Sequence, residues 1–138
     1  MAGSEPQMVS PNRRGKPVAI LVVEDEALIA SYITEVLAES GFAVAGIASS
    51  GPEALSLAGD MQPTLALVDI RLPGPMDGIE VAGLLRERLA VPTIFLSGMT
   101  DAATIARARA AQPLGILQKP FRPSQVFNAI ERALKAGE

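Results

Sequence analysis

The stretch Thr64-Leu65-Ala66-Leu67-Val68-Asp69 decides the fold of this chain, because an unbroken apolar run ends there in a carboxylate. Consecutive apolar residues without alternation are typical of a strand that is buried on both faces of a parallel sheet. Asp69 then lies at the carboxyl end of the strand, where open α/β sheets bind ligands. Prolines and a glycine in residues 73–75 cannot continue the strand and turn the chain away.

Four further apolar runs resemble this one, and segments with helical spacing separate them. The runs cover residues 18–23, 42–48, 93–96 and 114–117. Strand and helix therefore alternate five times, which predicts a parallel sheet covered on both faces and connected by right-handed crossovers. We expect one doubly wound (βα)5 domain over residues 18–137, preceded by a mobile tail over residues 1–17.

The predicted helices differ in how much apolar surface they offer. Leu28 belongs to the predicted inward face of the first helix, and Leu89 to that of the third, which Asp77-Gly78 opens. Residues 101–112 are rich in alanine and arginine, with Ile105 as the only large apolar side chain. We expect that helix to be thinly anchored and therefore able to move.

Composition excludes several classes of function. The 138 residues contain no cysteine and no histidine, which excludes disulfides, thiolate chemistry, histidine catalysis and histidine metal ligands. The net charge of −3 gives no general attraction to nucleic acid. No apolar run approaches the roughly 20 residues of a membrane span, and no signal peptide is visible. We expect a cytoplasmic protein that contacts neither nucleic acid nor a membrane directly.

Polar residues follow four of the predicted strands, whose carboxyl ends meet at one edge of a parallel sheet. They are Glu24 and Asp25 after the first strand, Asp69 after the third, Ser97 after the fourth and Lys119 after the fifth. Each alone is most simply a turn former, a helix cap or a solvated charge. Together they place three acids, a hydroxyl and an ammonium group at one edge.

Close carboxylates repel one another, so they either raise a pKa or bind a cation. Hard oxygen donors without histidine or cysteine suit Mg²⁺, which we expect as the cofactor. Asp25 and Asp69 are predicted as direct ligands and the backbone carbonyl of Arg71 as a third, with Glu24 reaching the ion through a water molecule.

The same arrangement suits phosphoryl transfer. With the ion shielding its charge, Asp69 can act as a nucleophile and form an acyl phosphate. Lys119 is predicted to stabilise the oxygens of the phosphoryl group during transfer. The hydroxyl of Ser97 is predicted to donate a hydrogen bond to the transferred group.

In this order, these motifs resemble the receiver domain of two-component response regulators, over about residues 17–137. The matching segments are Leu21-Val22-Val23-Glu24-Asp25-Glu26, Leu67-Val68-Asp69-Ile70-Arg71-Leu72-Pro73 with Met76-Asp77-Gly78, Phe95-Leu96-Ser97-Gly98 and Lys119-Pro120-Phe121. The resemblance implies a flavodoxin-like fold with sheet order 2-1-3-4-5. It also implies a phosphorelay function in signal transduction.

The resemblance assigns a role to each residue. Asp69 matches the phosphoacceptor, Glu24 and Asp25 the acidic pair that binds Mg²⁺, Ser97 the switch hydroxyl, and Lys119 the family's lysine, whose following proline is often in a cis bond. The implied donor is a phosphohistidine on a sensor histidine kinase or a histidine phosphotransfer protein. Output is expected through a downstream protein target, and a homodimer is left open.

Two features depart from the family pattern. Ile116 stands where the family usually has the aromatic residue that pairs with the switch hydroxyl. The loop from Asp69 to Asp77 is one residue longer than common, through Gly74-Pro75.

Because no output domain follows Lys135, the chain resembles a stand-alone receiver. We expect phosphorylation to shift a two-state equilibrium in residues 97–112.

Other readings remain open. A pseudo-receiver would keep the fold as an interaction module without phosphorylation. A haloacid-dehalogenase-like phosphatase also uses an aspartate nucleophile, but it has a second acid where this chain has Arg71. A flavin or dinucleotide site would need a glycine-rich loop after the first strand. A receiver, by contrast, catalyses only its own phosphorylation and dephosphorylation, and we do not expect an enzyme acting on other substrates.

Overall fold

Strands and helices alternate strictly in the computed structural model, which describes residues 17–98 and 101–136. The strands are β1 (Ala19–Val23), β2 (Ala43–Ala48), β3 (Leu65–Asp69), β4 (Thr93–Ser97) and β5 (Gly115–Gln118). The helices are α1 (Ala27–Glu39), α2 (Gly51–Met61), α3 (Gly78–Leu89), α4 (Ala102–Ala110) and α5 (Pro123–Ala136). The mobile tail predicted for residues 1–17 lies, except for Pro17, outside the described residues.

All strands are parallel, and the sheet order is β2-β1-β3-β4-β5. The predicted doubly wound, flavodoxin-like sheet is therefore confirmed. Each residue of β3, the central strand, is buried, while β2 and β5 form the two edges. None of the helices in the described part of the chain is long and apolar enough to cross a membrane.

The sheet separates two apolar cores. Leu65 and Leu67 point into the core shared with α1 and α5, whereas Ala66 and Val68 point into the core shared with α2, α3 and α4. Successive side chains of a strand lie on opposite faces, so an unbroken apolar run is what a strand covered on both faces requires. This explains why β3 shows no alternation in its sequence.

Helix starts follow from local capping. The side chain of Asp77 accepts a hydrogen bond from Glu80 N at 2.9 Å, and the Glu80 side chain accepts one from Asp77 N at 3.0 Å. This capping box satisfies amide groups that the first turn of α3 leaves unpaired. The prediction that Asp77-Gly78 opens a helix is thus correct.

Two apolar residues predicted to face inward are exposed instead. Leu28 has 87% of its surface exposed, and Leu89 has 38%. Both lie in a terminal turn, Leu28 in the first turn of α1 and Leu89 at the end of α3. Helical spacing alone does not reveal where the packed part of a helix ends.

The packing of α4 is thin, as the sequence predicted. Its one buried residue is Ala108, and Ile105 is only half-buried. Little apolar surface therefore holds α4 on the sheet. That this helix moves stays a prediction.

Candidate functional site

The carboxyl ends of the strands bring Lys119 against two acids. Its Nζ lies 3.0 Å from Oδ2 of Asp69 and 3.0 Å from Oε1 of Glu24. A third carboxylate oxygen, Oε1 of Glu26, is 3.8 Å away. One ammonium group thus bridges acids from two different strand ends.

Backbone pairing at the strand ends fixes these positions. The N–H of Lys119 donates to the carbonyl of Ser97 at 2.7 Å, which holds the residue after β5 against the last residue of β4. The N–H of Glu24 donates to the carbonyl of Ala48 at 2.9 Å, at the end of β2. Asp69 is the last residue of β3. Sheet register therefore sets the geometry of the site.

Three of the predicted site residues form an acidic cluster. Carboxylate oxygens of Glu24, Asp25 and Asp69 all lie within 4.8 Å of one another. Glu24 and Asp69 are buried, whereas Asp25 is exposed to solvent. The cluster is thus open on one side and consists entirely of hard oxygen donors.

Burial makes the charge of Glu24 costly. Desolvation raises the pKa of Glu24 to about 7, although hydrogen bonds from Lys119 and the Glu26 amide, which lies 3.1 Å from Oε2, oppose the shift. Oε1 of Glu24 is buried and lies 3.0 Å from Nζ of Lys119, so the two groups form a charged pair.

Lys119 itself remains firmly charged. Burial alone would lower the pKa of its ammonium group, but Glu24 and Asp69 outweigh burial and raise the pKa above its usual value. The following Lys119–Pro120 peptide bond is cis, the isomer that the resemblance implied.

The loop after β3 folds back onto Asp69 at very short range. The Arg71 amide donates to Oδ1 of Asp69 at 3.1 Å, and the Gly78 amide donates to the carbonyl of Ile70 at 2.8 Å. A Cβ on Gly78 would collide with the backbone carbonyl of Asp69. Only glycine fits there. The sequence motif Asp77-Gly78 hinted at a helix start but not at this contact.

The two predicted switch residues share one face of the sheet. Ser97 is fully buried, and its Oγ donates to the carbonyl of Gly98 at 3.3 Å. Ile116 pairs with Phe95, two residues before Ser97, and packs against the core of α2, α3 and α4. Their switching role stays a prediction.

Tyr32, on α1, supports the site and was missed by sequence reasoning. Its hydroxyl donates to the carbonyl of Phe121 at 3.2 Å, and the two ring centroids are 6.1 Å apart. It thereby ties α1 to the segment that follows Lys119. Tyr32 is the only tyrosine in the chain. Nothing in the sequence around it indicates a contact with a residue so far along the chain.

Comparison with known proteins agrees with this fold. The sequence model of the response regulator receiver domain family matches residues 20–131 of this chain. The chain therefore belongs to the response regulator receiver family. This confirms the resemblance found in the sequence.

Curated relatives are longer regulators. Transcriptional regulatory protein PdtaR of Mycobacterium tuberculosis is 36% identical over 118 residues, covering 86% of this chain and 57% of the relative. DNA-binding response regulator MtrA of the same species is 34% identical over 119 residues, covering 86% of this chain and 51% of the relative. The chain thus spans about half the length of the curated relatives it matches.

Solved structures share the whole fold. The receiver domain of a modulated diguanylate cyclase from Desulfovibrio desulfuricans G20 superimposes with a TM-score of 0.83 at 36% identity, covering 89% of this chain and all of that chain. The receiver domain of the response regulator NarL from Mycobacterium tuberculosis gives a TM-score of 0.80 at 29% identity, with coverages of 86% and 97%.

Proposed function

We propose that this chain is a phosphorelay signalling domain in which Asp69 accepts a phosphoryl group and a second protein reads the resulting change. The observation that carries the proposal is the position of Lys119, whose Nζ lies 3.0 Å from carboxylate oxygens of both Asp69 and Glu24. A cation held at that place is suited to stabilise an incoming phosphoryl group.

In the proposed reaction, a carboxylate oxygen of Asp69 attacks the phosphorus atom of the donor. A new O–P bond forms, and the bond from phosphorus to the donor's imidazole nitrogen breaks, with the nitrogen keeping the electron pair. The product is an acyl phosphate on Asp69. Lys119 stabilises the negative charge of the phosphoryl oxygens during transfer, and Ser97 donates a hydrogen bond to the transferred group.

The acidic cluster fits Mg²⁺ as the cofactor. Its donors are all carboxylate oxygens, and they lie within 4.8 Å of one another. Asp25, Asp69 and the carbonyl of Arg71 would hold the ion, with Glu24 contributing through water. When bound, the ion supplies positive charge that offsets the repulsion between the carboxylates and the phosphoryl group.

Membership of the receiver family suggests a phosphohistidine on a sensor kinase or phosphotransfer protein as the donor, and the given chain has no histidine that could take that role. The proposed output is a protein–protein interaction. On this proposal the chain promotes only its own phosphorylation and dephosphorylation and does not turn over other substrates.

Intact mass spectrometry after incubation with acetyl phosphate and Mg²⁺ tests the proposal. We expect one added phosphoryl group on the wild-type chain and none on Asp69→Asn. Asp60→Asn is the matched control, because Asp60 is an exposed carboxylate on α2, and it should be modified like the wild type. Omission of Mg²⁺ with excess EDTA should prevent the adduct.

Each alternative predicts a different outcome. Repeated hydrolysis of a simple phosphate ester, with turnover lost in Asp69→Asn, would identify a phosphatase instead. Absence of any adduct with or without Mg²⁺ would identify a pseudo-receiver. The sequence feature that favours this alternative is the aliphatic Ile116 in place of the usual aromatic residue.

A further inference from the structure

Charged side chains link α4 and the residues after it to α3 across the protein surface. The Arg107 guanidinium lies 3.1 Å from Oδ2 of Asp77, the residue that caps α3. At the other end, Nη1 of Arg86 donates to the carbonyl of Ala111 at 2.7 Å and to Oε1 of Gln112 at 3.1 Å. With Ala108 as its one buried residue, α4 has little apolar anchorage, so we expect these contacts to contribute to its position.

Asp77 is rigidly connected to the backbone of Asp69. Gly78, the next residue, donates to the carbonyl of Ile70 at 2.8 Å and packs so closely that no side chain fits beside the carbonyl of Asp69. A shift of the Asp69–Ile70 backbone must therefore move Gly78 and Asp77 as well, because close-packed backbone cannot absorb it.

Asp101 forms the N-terminal cap of α4. The side chain of Asp101 caps α4 by accepting from Thr104 N at 2.7 Å. Hydrogen bonding by Thr104 is the main reason that the pKa of Asp101 is lowered, and the positive charge of Arg71 lowers it further. Of the charged residues in the loop after Asp69, Asp77 is thus the one whose contact with α4 carries the argument, through its ion pair with Arg107.

We propose that the Arg107–Asp77 ion pair is a coupling link that transmits displacement of the Asp69 loop to α4. The link would run from Asp69 through Gly78 and Asp77 to Arg107. It is a polar route on the outer surface, separate from the buried Ser97 and the partly buried Ile116. The inference rests on the proposed function, since phosphorylation of Asp69 is its input.

The test measures the response of α4 by NMR in the full chain. Amide chemical shifts of the ¹⁵N-labelled protein are compared before and after addition of Mg²⁺ with beryllium fluoride, an unreactive analogue of a phosphoryl group. In Arg107→Ala we expect the shift changes of the α4 amides to fall by about twofold or more. Changes at Asp69 and its strand neighbours should persist.

Arg109→Ala is the matched control. Arg109 lies on the same helix, is exposed, and makes no ion pair with the part of the chain that the structure describes. Its substitution removes the same charge and the same side chain, so the α4 response should stay at the wild-type level. An equal loss in both variants would show a general charge effect and overturn the link.

Asp77→Asn tests the other partner without removing the helix cap, because asparagine caps helices about as well as aspartate. It should reduce the α4 response as Arg107→Ala does, and the double variant should show no further loss. Additive losses in the double variant would show that the two residues act independently, against the proposal.

Failure of the link and failure of the proposed function give different spectra. If the wild type shows no changes around Asp69, the proposed function itself is wrong. If the wild type responds at Asp69 but α4 stays unchanged, or responds equally in Arg107→Ala, then only the link is overturned.

Discussion

At the scale of single residues, the site is a balance between one ammonium group and several carboxylates. Lys119 contacts Asp69 and Glu24, and Asp25 lies close enough to share a cation with both acids. The buried acids cannot all ionise without cost. The raised pKa of Glu24 reflects this cost of burial.

Glu24 gives the metal-free protein a predictable pH dependence. Its pKa is about 7 when folded, against an ordinary value of 4.5, so the folded state binds a proton more tightly than the unfolded chain. The free energy of unfolding should therefore fall as pH rises from about 4.5 to 7, by roughly 1–3 kcal/mol. Urea unfolding in EDTA at several pH values measures this change.

Glu24→Gln is the reference for that measurement, since glutamine does not titrate. The difference in unfolding free energy between the two proteins should change across this pH interval and level off above it. A difference that is constant from pH 4 to 8 would contradict the raised pKa.

At the scale of elements, the connection between β3 and α3 leaves no room for a larger side chain at Gly78. Gly78→Ala places a Cβ against the backbone carbonyl of Asp69, and neither backbone can move freely. We expect a loss of about 1–3 kcal/mol in stability, together with slower phosphorylation by acetyl phosphate because the backbone of Asp69 is displaced. Chemical denaturation and the rate of adduct formation measure the two effects.

Gly83→Ala on the same helix is the control. A Cβ there meets nothing within 4 Å, so the substitution should stabilise α3 by about 0.5–1 kcal/mol. If Gly78→Ala behaved like Gly83→Ala, the close contact with Asp69 would not be a constraint.

Element types and order were predictable because they follow from local patterns. Apolar runs marked the strands, and Asp77 marked the start of α3. The exposure of Leu28 and Leu89 was not predictable, because it depends on where a helix passes the end of the sheet. The contact of Tyr32 with Phe121 joins residues that are 89 positions apart, so no local pattern indicates it.

At the scale of the whole molecule, the proposed metal site links ion binding to stability. Any ligand that binds only the folded state raises its stability, by about 2.7 kcal/mol when the free ligand is at 100 times its Kd. We therefore expect Mg²⁺ to raise the Tm of the wild-type protein in a concentration-dependent way. Calorimetry at constant ionic strength measures the increase.

Asp25→Asn should weaken that increase strongly, since Asp25 is the exposed member of the acidic cluster. Asp60→Asn, on the surface of α2, should leave it intact. Equal Mg²⁺ effects on all three proteins would indicate nonspecific screening rather than a bound ion.

That the site residues would lie close together was predictable from the topology of the sheet. In a parallel sheet all carboxyl ends lie on one side, so residues after separate strands must approach one another. Sequence reasoning therefore named Glu24, Asp25, Asp69 and Lys119 as neighbours. The buried Oε1 of Glu24, the fit of Gly78 and the Arg107–Asp77 pair were beyond it, because each depends on side-chain geometry across elements.

The place of Lys119 after an edge strand has a further consequence. β5 has four residues and a neighbour on only one side, and outer segments of a protein detach at lower free energy than the whole molecule unfolds. Fraying of β5 would carry the ammonium group away from Asp69 while the central strands stay paired. We therefore expect the lifetime of the intact site to follow local opening at the periphery of the sheet rather than the melting of its core.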